Sequence, residues 1–136
     1  MNADVPELAG ISHIDLTVTD RDRSERFYTE VLGFEVAKRV DKPDFRLADM
    51  RHAGLGAELC VRQPTAGDGS AFDELRTGLD HLSFAVASRA DLEGWQEHLE
   101  HHGVSHTPIV DAPYGAVLVF RDPDNIQLEL MAEPGT

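Results

Sequence analysis

Two segments of the chain alternate apolar residues with polar or small ones, and their patterns match. The first runs from His13 to Val18 as His-Ile-Asp-Leu-Thr-Val, and the second from His81 to Val86 as His-Leu-Ser-Phe-Ala-Val. A period of two is typical of a β-strand with one face in a core. Because the two histidines stand 68 residues apart, the pattern predicts two similar halves.

The segment after each strand shows helical spacing at the same offset. Phe27 and Val31 in the first half correspond to Trp95 and Leu99 in the second, and each pair has the i, i+4 spacing of one buried stripe. This pattern predicts helices over about 22–32 and 89–102.

Capping residues stand at both ends of these segments. Asp20 or Asp22 is the predicted N-cap of the first helix, and Ser88 followed by Asp91 resembles a capping box for the second. A glycine then ends each helix because glycine accepts the left-handed conformation, and these glycines are Gly33 and Gly103.

Three further strands are predicted after each helix, over about 34–39, 44–50 and 55–62, and over 104–110, 115–121 and 126–131. The predicted fold class is therefore α+β, with the unit βαβββ occurring twice. We expect a single domain over 1–136, made of module 9–63 and module 79–132. The polar, turn-rich segment 64–78 is the predicted linker.

Size and composition narrow the function classes. A chain of 136 residues can bury a core without disulfides, and its one cysteine, Cys60, cannot form an internal bridge, so a reducing cytoplasm is the expected location. Neither a secretory signal nor a membrane-spanning apolar run is present in the sequence. The net charge of −13 disfavours nucleic acid as a partner.

Strand alternation predicts which polar side chains share a face. In four strands the apolar positions point toward the helices, and one histidine or glutamate in each strand lies on the opposite face. These four residues are His13, Glu58, His81 and Glu129. Two imidazoles and two carboxylates suit a borderline divalent cation with one or two open positions, so they are the candidate metal ligands.

Other titratable residues fit this pattern less well. Cys60 shares the face of Glu58, but no neighbouring base lowers its pKa, so we interpret it as a packing residue. The histidines His98, His101 and His102 fall on or just past the second helix, and we interpret them as solvated. No partner is predicted for His106.

Several segments resemble the vicinal oxygen chelate superfamily, which includes glyoxalase I, fosfomycin-resistance proteins, methylmalonyl-CoA epimerase, extradiol dioxygenases and bleomycin-resistance proteins. The segments are His13 at the start of the first strand, Phe27 to Phe34, Leu79 to His81, Phe120 to Asp124 and Gln127 to Leu130. The resemblance implies a curved mixed sheet around a metal-binding cavity.

Within that superfamily the His, Glu, His, Glu pattern most resembles glyoxalase I, whose ligands would be His13, Glu58, His81 and Glu129. The resemblance implies one divalent metal per site, Zn, Ni, Mn or Fe(II), and a homodimer whose sites draw ligands from both chains. Thr17 stands where glyoxalase I carries an arginine, which argues against a glutathione-derived substrate.

The expected activity is a metal-dependent lyase or isomerase that acts on a small oxygen-chelating substrate through an enediolate. Glu129, or alternatively Glu58, is the expected general base. Arg46 and Arg62 are candidates for binding an acidic substrate group, and Tyr114 for reaching into the cavity.

Two alternatives remain open at the level of sequence. A triad of His13, His81 and Glu129 without Glu58 would resemble an extradiol-type dioxygenase or a thiol transferase. A non-catalytic antibiotic-binding protein would need no metal ligands, so the four matching residues argue against it. Glu58 is therefore the discriminating residue.

Overall fold

The computed structural model describes residues 4–135, in which eight strands and two helices follow one another as βαβββ, twice. The elements are β1 (His13–Thr17), α1 (Arg21–Glu30), β2 (Glu35–Asp41), β3 (Phe45–Arg51), β4 (Glu58–Pro64), β5 (Leu82–Val86), α2 (Arg89–His101), β6 (Val110–Ala112), β7 (Gly115–Arg121) and β8 (Gln127–Ala132).

Each half forms its own four-stranded mixed sheet, with the same strand order in both. The orders are β1-β4-β3-β2 and β5-β8-β7-β6, so the first strand of each half lies beside the last. That pair is parallel and the others are antiparallel. The predicted α+β class with two tandem βαβββ units is confirmed.

The helix boundaries follow the predicted signals. Asp20 caps α1 by accepting a hydrogen bond from the backbone N–H of Arg23, and Ser88 caps α2 by accepting one from Asp91. Helix α1 ends at Glu30, earlier than predicted. The chain then turns at Gly33, with φ +79°, and the N–H of Phe34 donates to the carbonyl of Tyr28.

The sixth strand differs most from its prediction. A strand was expected over 104–110, but β6 covers only Val110–Ala112. The N–H of Val104 closes the end of α2 by donating to Leu99, and His106 forms only an isolated bridge with Phe120. Because Pro108 has no N–H to donate, a regular ladder cannot form across this segment.

A buried polar network joins the two modules between α1 and the β7–β8 turn. The Tyr28 hydroxyl donates to the Asp122 carboxylate at 2.8 Å, and the backbone N–H of Thr19 donates to Asp124 at 3.0 Å. Burial raises the pKa of both Asp122 and Tyr28. The modules are thus fixed by hydrogen bonds as well as by apolar packing.

The segment between the modules is attached to the second one. The backbone N–H of Phe72 donates to the carbonyl of Asp124, and Arg121 binds both carboxylate oxygens of Glu74 at 2.9 Å. These contacts fix the connecting segment against the β7–β8 turn.

Among residues 4–135, no helix is long and apolar enough to cross a membrane.

Candidate metal centre

The strand faces agree with the predicted alternation. Leu16, Leu59, Leu128 and Leu130 are buried toward the helices, whereas the candidate ligands lie on the other face of each sheet. The helices do not cover that face, and on it the side chains of His13, His81 and Glu58 are 58%, 40% and 37% exposed.

In the second module, His81 and Glu129 form a close pair. The Nε2 atom of His81 lies 3.8 Å from Oε2 of Glu129. The Ser83 hydroxyl donates to the other carboxylate oxygen at 2.9 Å, and the side chain of Glu129 is only 16% exposed. The carboxylate is therefore held in place beside the imidazole.

In the first module, His13 on β1 stands directly opposite Glu58 on β4 in the parallel ladder. The Nδ1 atom of His13 lies 2.9 Å from the Ser12 hydroxyl oxygen. In His81, Nδ1 is likewise 2.7 Å from a carboxylate oxygen of Asp80. With a proton on Nδ1, each Nε2 keeps a lone pair for a metal.

The two carboxylates do not occupy matching positions, contrary to the expectation from the repeat. Glu58 is opposite His13, but Glu129 is opposite Ser83, two residues after His81. The position in the first module that corresponds to Glu129 is Cys60, which is opposite Asp15. The repeat therefore matches the histidines and offsets the glutamates by two residues.

Glu58 lies beside two charged side chains, Arg51 and Asp49. Oε1 of Glu58 lies 3.0 Å from the Arg51 guanidinium. A hydrogen bond from Asp49 and the contact with Arg51 lower the pKa of Glu58, while burial and the Glu58 carboxylate raise the pKa of Asp49. Glu58 is therefore ionised at neutral pH and already partnered.

The four candidates do not form one cluster. His81 and Glu129 lie close together, whereas the Nε2 atom of His13 lies 4.0 Å from a carboxylate oxygen of Asp15. Within the described range 4–135, no group of three or more His, Cys, Asp or Glu side chains is arranged to hold a metal ion. Each sheet thus presents one candidate histidine and one candidate glutamate, and each of these two sets is a candidate half-site.

The half-site of the second module, His81 with Glu129, fits a divalent metal in its donor atoms. Ligands of one zinc ion have bond lengths of about 2.0–2.2 Å, which places the two ligand atoms about 3–4 Å apart. The His81–Glu129 distance of 3.8 Å falls in that range. Nitrogen and oxygen donors of this kind suit Zn, Ni, Mn or Fe(II) alike.

The substrate-binding candidates are not brought together. Arg62 lies on the uncovered face, with its guanidinium 3.7 Å from the centre of the Phe45 ring. Arg46 lies on the helix side of β3 instead, where it pairs with Asp41 and Asp22, and its role in substrate binding stays a prediction. Its neighbours Ala48 and Met50 share that buried side.

Tyr114 occupies the turn between β6 and β7 and is 64% exposed. Its ring points away from the core in a single chain. The structure therefore leaves its expected role in the cavity as a prediction.

Cys60 is buried, as its interpretation as a packing residue requires. Its sulfur lies 3.5 Å from a carboxylate oxygen of Asp49. Burial and the nearby carboxylates of Asp15 and Asp49 raise the pKa of the thiol to about 12. A thiol with that pKa is not a nucleophile at neutral pH.

Two histidines outside the site have partners that the sequence did not predict. His98 is not solvated, because its Nε2 donates to the carbonyl of Val31 at 2.7 Å and its ring stands edge-on to Trp95. His106 contacts Glu100 at 3.1 Å. His101 and His102 are exposed, as expected.

Several residues that shape the half-sites were missed from sequence. They are Ser12, Asp49, Arg51, Asp80 and Ser83. Ser12 and Asp80 each precede a candidate histidine, and Ser83 lies on the same strand face as His81, so alternation carried a signal for them. Asp49 and Arg51 depend on strand register, which one sequence does not specify.

A family model supplies the deciding comparison. The model of the Glyoxalase/Bleomycin resistance protein/Dioxygenase superfamily matches residues 10–130. The chain belongs to this superfamily. Its members include lactoylglutathione lyases, dioxygenases and fosfomycin resistance proteins.

Two relatives within the superfamily illustrate that range. The chain is 29% identical over 126 residues to lactoylglutathione lyase of Escherichia coli O157:H7, covering 89% of this chain and 90% of that one. It is 27% identical over 128 residues to "Putative ring-cleaving dioxygenase MhqA" of Bacillus subtilis (strain 168). That match covers 93% of this chain and spans only 40% of the dioxygenase.

Solved structures of the superfamily share the fold. A glyoxylase/bleomycin resistance protein/dioxygenase domain from Frankia sp. EAN1pec has a TM-score of 0.86 and 42% identity, covering 93% of this chain and 99% of that one. The fosfomycin resistance protein FosX from Listeria monocytogenes, in complex with Mn(II), has a TM-score of 0.73 at 21% identity, covering 95% and 94%. At that identity, the likeness to FosX shows the fold alone.

Proposed function

We propose that the chain is a divalent-metal-dependent lyase or isomerase of glyoxalase type, acting on a small oxygen-chelating substrate. The observation that carries the proposal is the pairing of His81 with Glu129, whose Nε2 and Oε2 atoms lie 3.8 Å apart. The position of His13 beside Glu58 in the β1–β4 ladder supports it. Both histidines also have Nδ1 beside a polar side chain, which leaves Nε2 for a metal.

A homodimer would complete the site. His13 lies on β1 and His81 immediately precedes β5, and these two strands are edges of their sheets. Pairing β1 of one copy with β5 of a second would satisfy both edges and place the two half-sites on one continuous surface. We therefore propose a twofold dimer with two sites, each using His13 and Glu58 of one chain and His81 and Glu129 of the other.

Each side chain has a distinct role in this proposal. A metal bound by the four ligands would polarise the oxygens of a hydroxycarbonyl substrate. Glu129 would remove the proton from the hydroxyl-bearing carbon of the substrate and return it to the neighbouring carbon, which was the carbonyl carbon. The Ser83 hydroxyl would orient the carboxylate of Glu129 for this transfer. Arg62, the cationic candidate that lies on this face, would bind an acidic substrate group.

A second function is favoured by the surroundings of Glu58. Its carboxylate is held by Arg51, and it is offset by two residues from the position that matches Glu129. If Glu58 stays with Arg51, the ligands are His13, His81 and Glu129, a facial triad typical of a dioxygenase or a thiol transferase.

Metal content separates the two functions. We would measure it by mass spectrometry on untagged protein purified without chelator, for the parent chain, Glu58→Gln, His81→Ala and the control His101→Ala, which alters an exposed histidine on α2. Each variant is checked for folding by circular dichroism. We expect a near-stoichiometric metal ion in the parent and the control, and its loss from both site variants.

Two other outcomes would favour a different function. If Glu58→Gln retains its metal and His81→Ala loses it, the triad replaces the quartet. A parent that folds without metal and takes up none from Zn, Ni, Mn or Fe(II) contradicts the enzyme proposal and leaves an antibiotic-binding protein.

A further inference from the structure

A second cavity lies away from the candidate metal face. It has a volume of about 550 Å³ and is formed between the end of α1, the loop after β3, strand β5 and helix α2. Phe84 and Val86 of β5 line it, and these residues alternate with Ser83, which faces the metal side. The cavity is therefore on the helix side of the second sheet, and its size is typical of a small-molecule site.

Five aromatic or imidazole rings stand among its mostly aliphatic walls, which also include one carboxylate, Asp91. Phe34 stands edge-on to both His52 at 5.2 Å and Phe84 at 6.0 Å between ring centres. Trp95 and His98 form a second edge-on pair at 5.2 Å. Edge and face contacts of this kind favour a flat, apolar occupant.

Hydrogen bonds fix the proton positions of the two histidines. Nε2 of His98 lies 2.7 Å from the carbonyl oxygen of Val31, which only accepts, so the proton is on Nε2 and Nδ1 is an acceptor. Nδ1 of His52 accepts from the backbone N–H of Gly54 at 2.9 Å, so the proton of the neutral ring is on Nε2. Within residues 4–135, neither His98 Nδ1 nor His52 Nε2 has a hydrogen-bond partner.

We propose that this cavity binds an uncharged hydroxyl-bearing aromatic molecule. Both histidines line the cavity. A phenolic hydroxyl both donates and accepts, so it can donate to His98 Nδ1 and accept from His52 Nε2. Its ring matches Phe34, Phe84 and Trp95. The proposal goes beyond the proposed metal chemistry and does not depend on it.

Gly94 on α2 offers a substitution that fills the cavity without disturbing the fold. It lines the cavity, and a Cβ added there would meet nothing within 4 Å. Gly94→Leu would place a branched side chain in the space and also remove a helix-interior glycine, which favours folding. Gly94→Ala is the matched control, because one methyl group leaves most of the volume free.

The test uses 4-propylphenol as the probe and propylbenzene as its analogue without a hydroxyl. Trp95 is the single tryptophan of the chain, so its fluorescence reports binding directly. Titrations are made on the full chain with and without chelator, for the parent, Gly94→Leu, Gly94→Ala and His52→Phe, and melting curves establish that each variant is folded.

We expect the parent and Gly94→Ala to bind the phenol saturably, about five- to tenfold more tightly than propylbenzene, with or without chelator. Gly94→Leu should lose binding of both probes. His52→Phe should retain propylbenzene binding and reduce the preference for the phenol, because the acceptor on His98 remains.

Four results would overturn the proposal. The first two are a folded parent that shows no saturable binding, as when a second copy fills the cavity, and a Gly94→Leu variant that binds like the parent. The third is a phenol preference that is undiminished in His52→Phe. The fourth is binding that is lost when chelator is added, which would assign the probe to the metal face.

Discussion

The side chain before each candidate histidine holds that histidine through Nδ1. Asp80 contacts His81 in this way, and it also accepts from the side-chain amide of Gln127 at 3.2 Å. A carboxylate behind a metal-binding imidazole fixes its tautomer and raises its basicity. Asp80 is therefore a positioning residue in the proposed site.

Asp80→Ala should weaken metal binding by about 10- to 100-fold without unfolding the chain. The loss arises because the imidazole can rotate and change tautomer once its acceptor is gone. Metal titration of the apoprotein measures the effect, and Asp44→Ala, at an exposed loop carboxylate, is the control. Equal affinities in the two variants would contradict a positioning role.

Gly115 is required by backbone geometry at the start of β7. Its φ is +147°, and a Cβ there would lie 2.5 Å from the carbonyl oxygen of Ala132. We expect Gly115→Ala to destabilise the chain by about 2–4 kcal/mol, measured by urea unfolding. Gly94→Ala, which meets open space in a helix, should stabilise it by about 1 kcal/mol, and a similar change in both would contradict this explanation.

At this scale the sequence predicted the strand face of the four candidate ligands, because alternation acts between neighbouring residues. The repeat matched the two histidines but not the two glutamates. The sequence did not predict the Arg51 and Asp49 contacts of Glu58. Those contacts depend on which residue of β3 lies beside which residue of β4, and that register is set by packing of the whole sheet.

Among the elements, the segment after β4 is fixed to the second module by one strong ion pair. Hydrogen bonds from Arg121 lower the pKa of Glu74 from 4.5 to about 2. Between those two values the unfolded chain binds more protons than the folded one, so stability rises with pH across this window. The contribution is complete above about pH 4.5 and is lost as the pH falls toward about 2.

Glu74→Gln should therefore flatten the dependence of melting temperature on pH between about 4.5 and 2. The parent should lose stability more steeply than the variant as acid is added. Thermal unfolding followed by circular dichroism at several pH values measures this, with Glu97→Gln, an exposed carboxylate on α2, as the control. Parallel curves for parent and Glu74→Gln would show that the pair is not responsible.

Helices and most strands were predictable because their signals are local. Asp20, Ser88, Gly33 and Gly103 fix helix ends through contacts within a few residues. Strand β6 was not predictable in the same way. The strand predicted over 104–110 does not form there, because Pro108 and the closing turn of α2 use or remove the backbone groups that a ladder needs.

For the whole molecule, the open point is whether each metal site is formed within one chain or between two chains of a dimer. Variants His13→Ala and His81→Ala each break both sites of a proposed twofold dimer. A mixed dimer of the two, however, combines an intact His13 with an intact His81 in one of its sites.

Mixing equal amounts of the two variants, after subunit exchange, should restore metal binding to about one quarter of the parental level, because about half of the dimers are mixed and each has one intact site. Metal analysis and size-exclusion chromatography measure the outcome. No recovery in a mixture shown to contain mixed dimers would place each site within a single chain.

The two-module repeat could be predicted from the sequence, but the way the two modules pack against each other could not. The repeat predicts two βαβββ modules, and both sheets have the same strand order. Whether one chain or two would close a site depends on how the modules pack. Here that packing runs through Tyr28, Asp122, Thr19 and Asp124, which lie 94 and 105 residues apart in their respective pairs.

Those long-range bonds make the covalent connection between the modules replaceable. The turn around Gly67 and Gly69 is exposed, while the following residues, from Phe72, are bound to the second module. A chain cut at this turn would still contain both partners of every bond between α1 and the β7–β8 turn. We expect such a nicked protein to migrate as one folded particle and to separate into two fragments only in denaturant. The molecule then behaves as a heterodimer of its own halves, joined by a dispensable peptide.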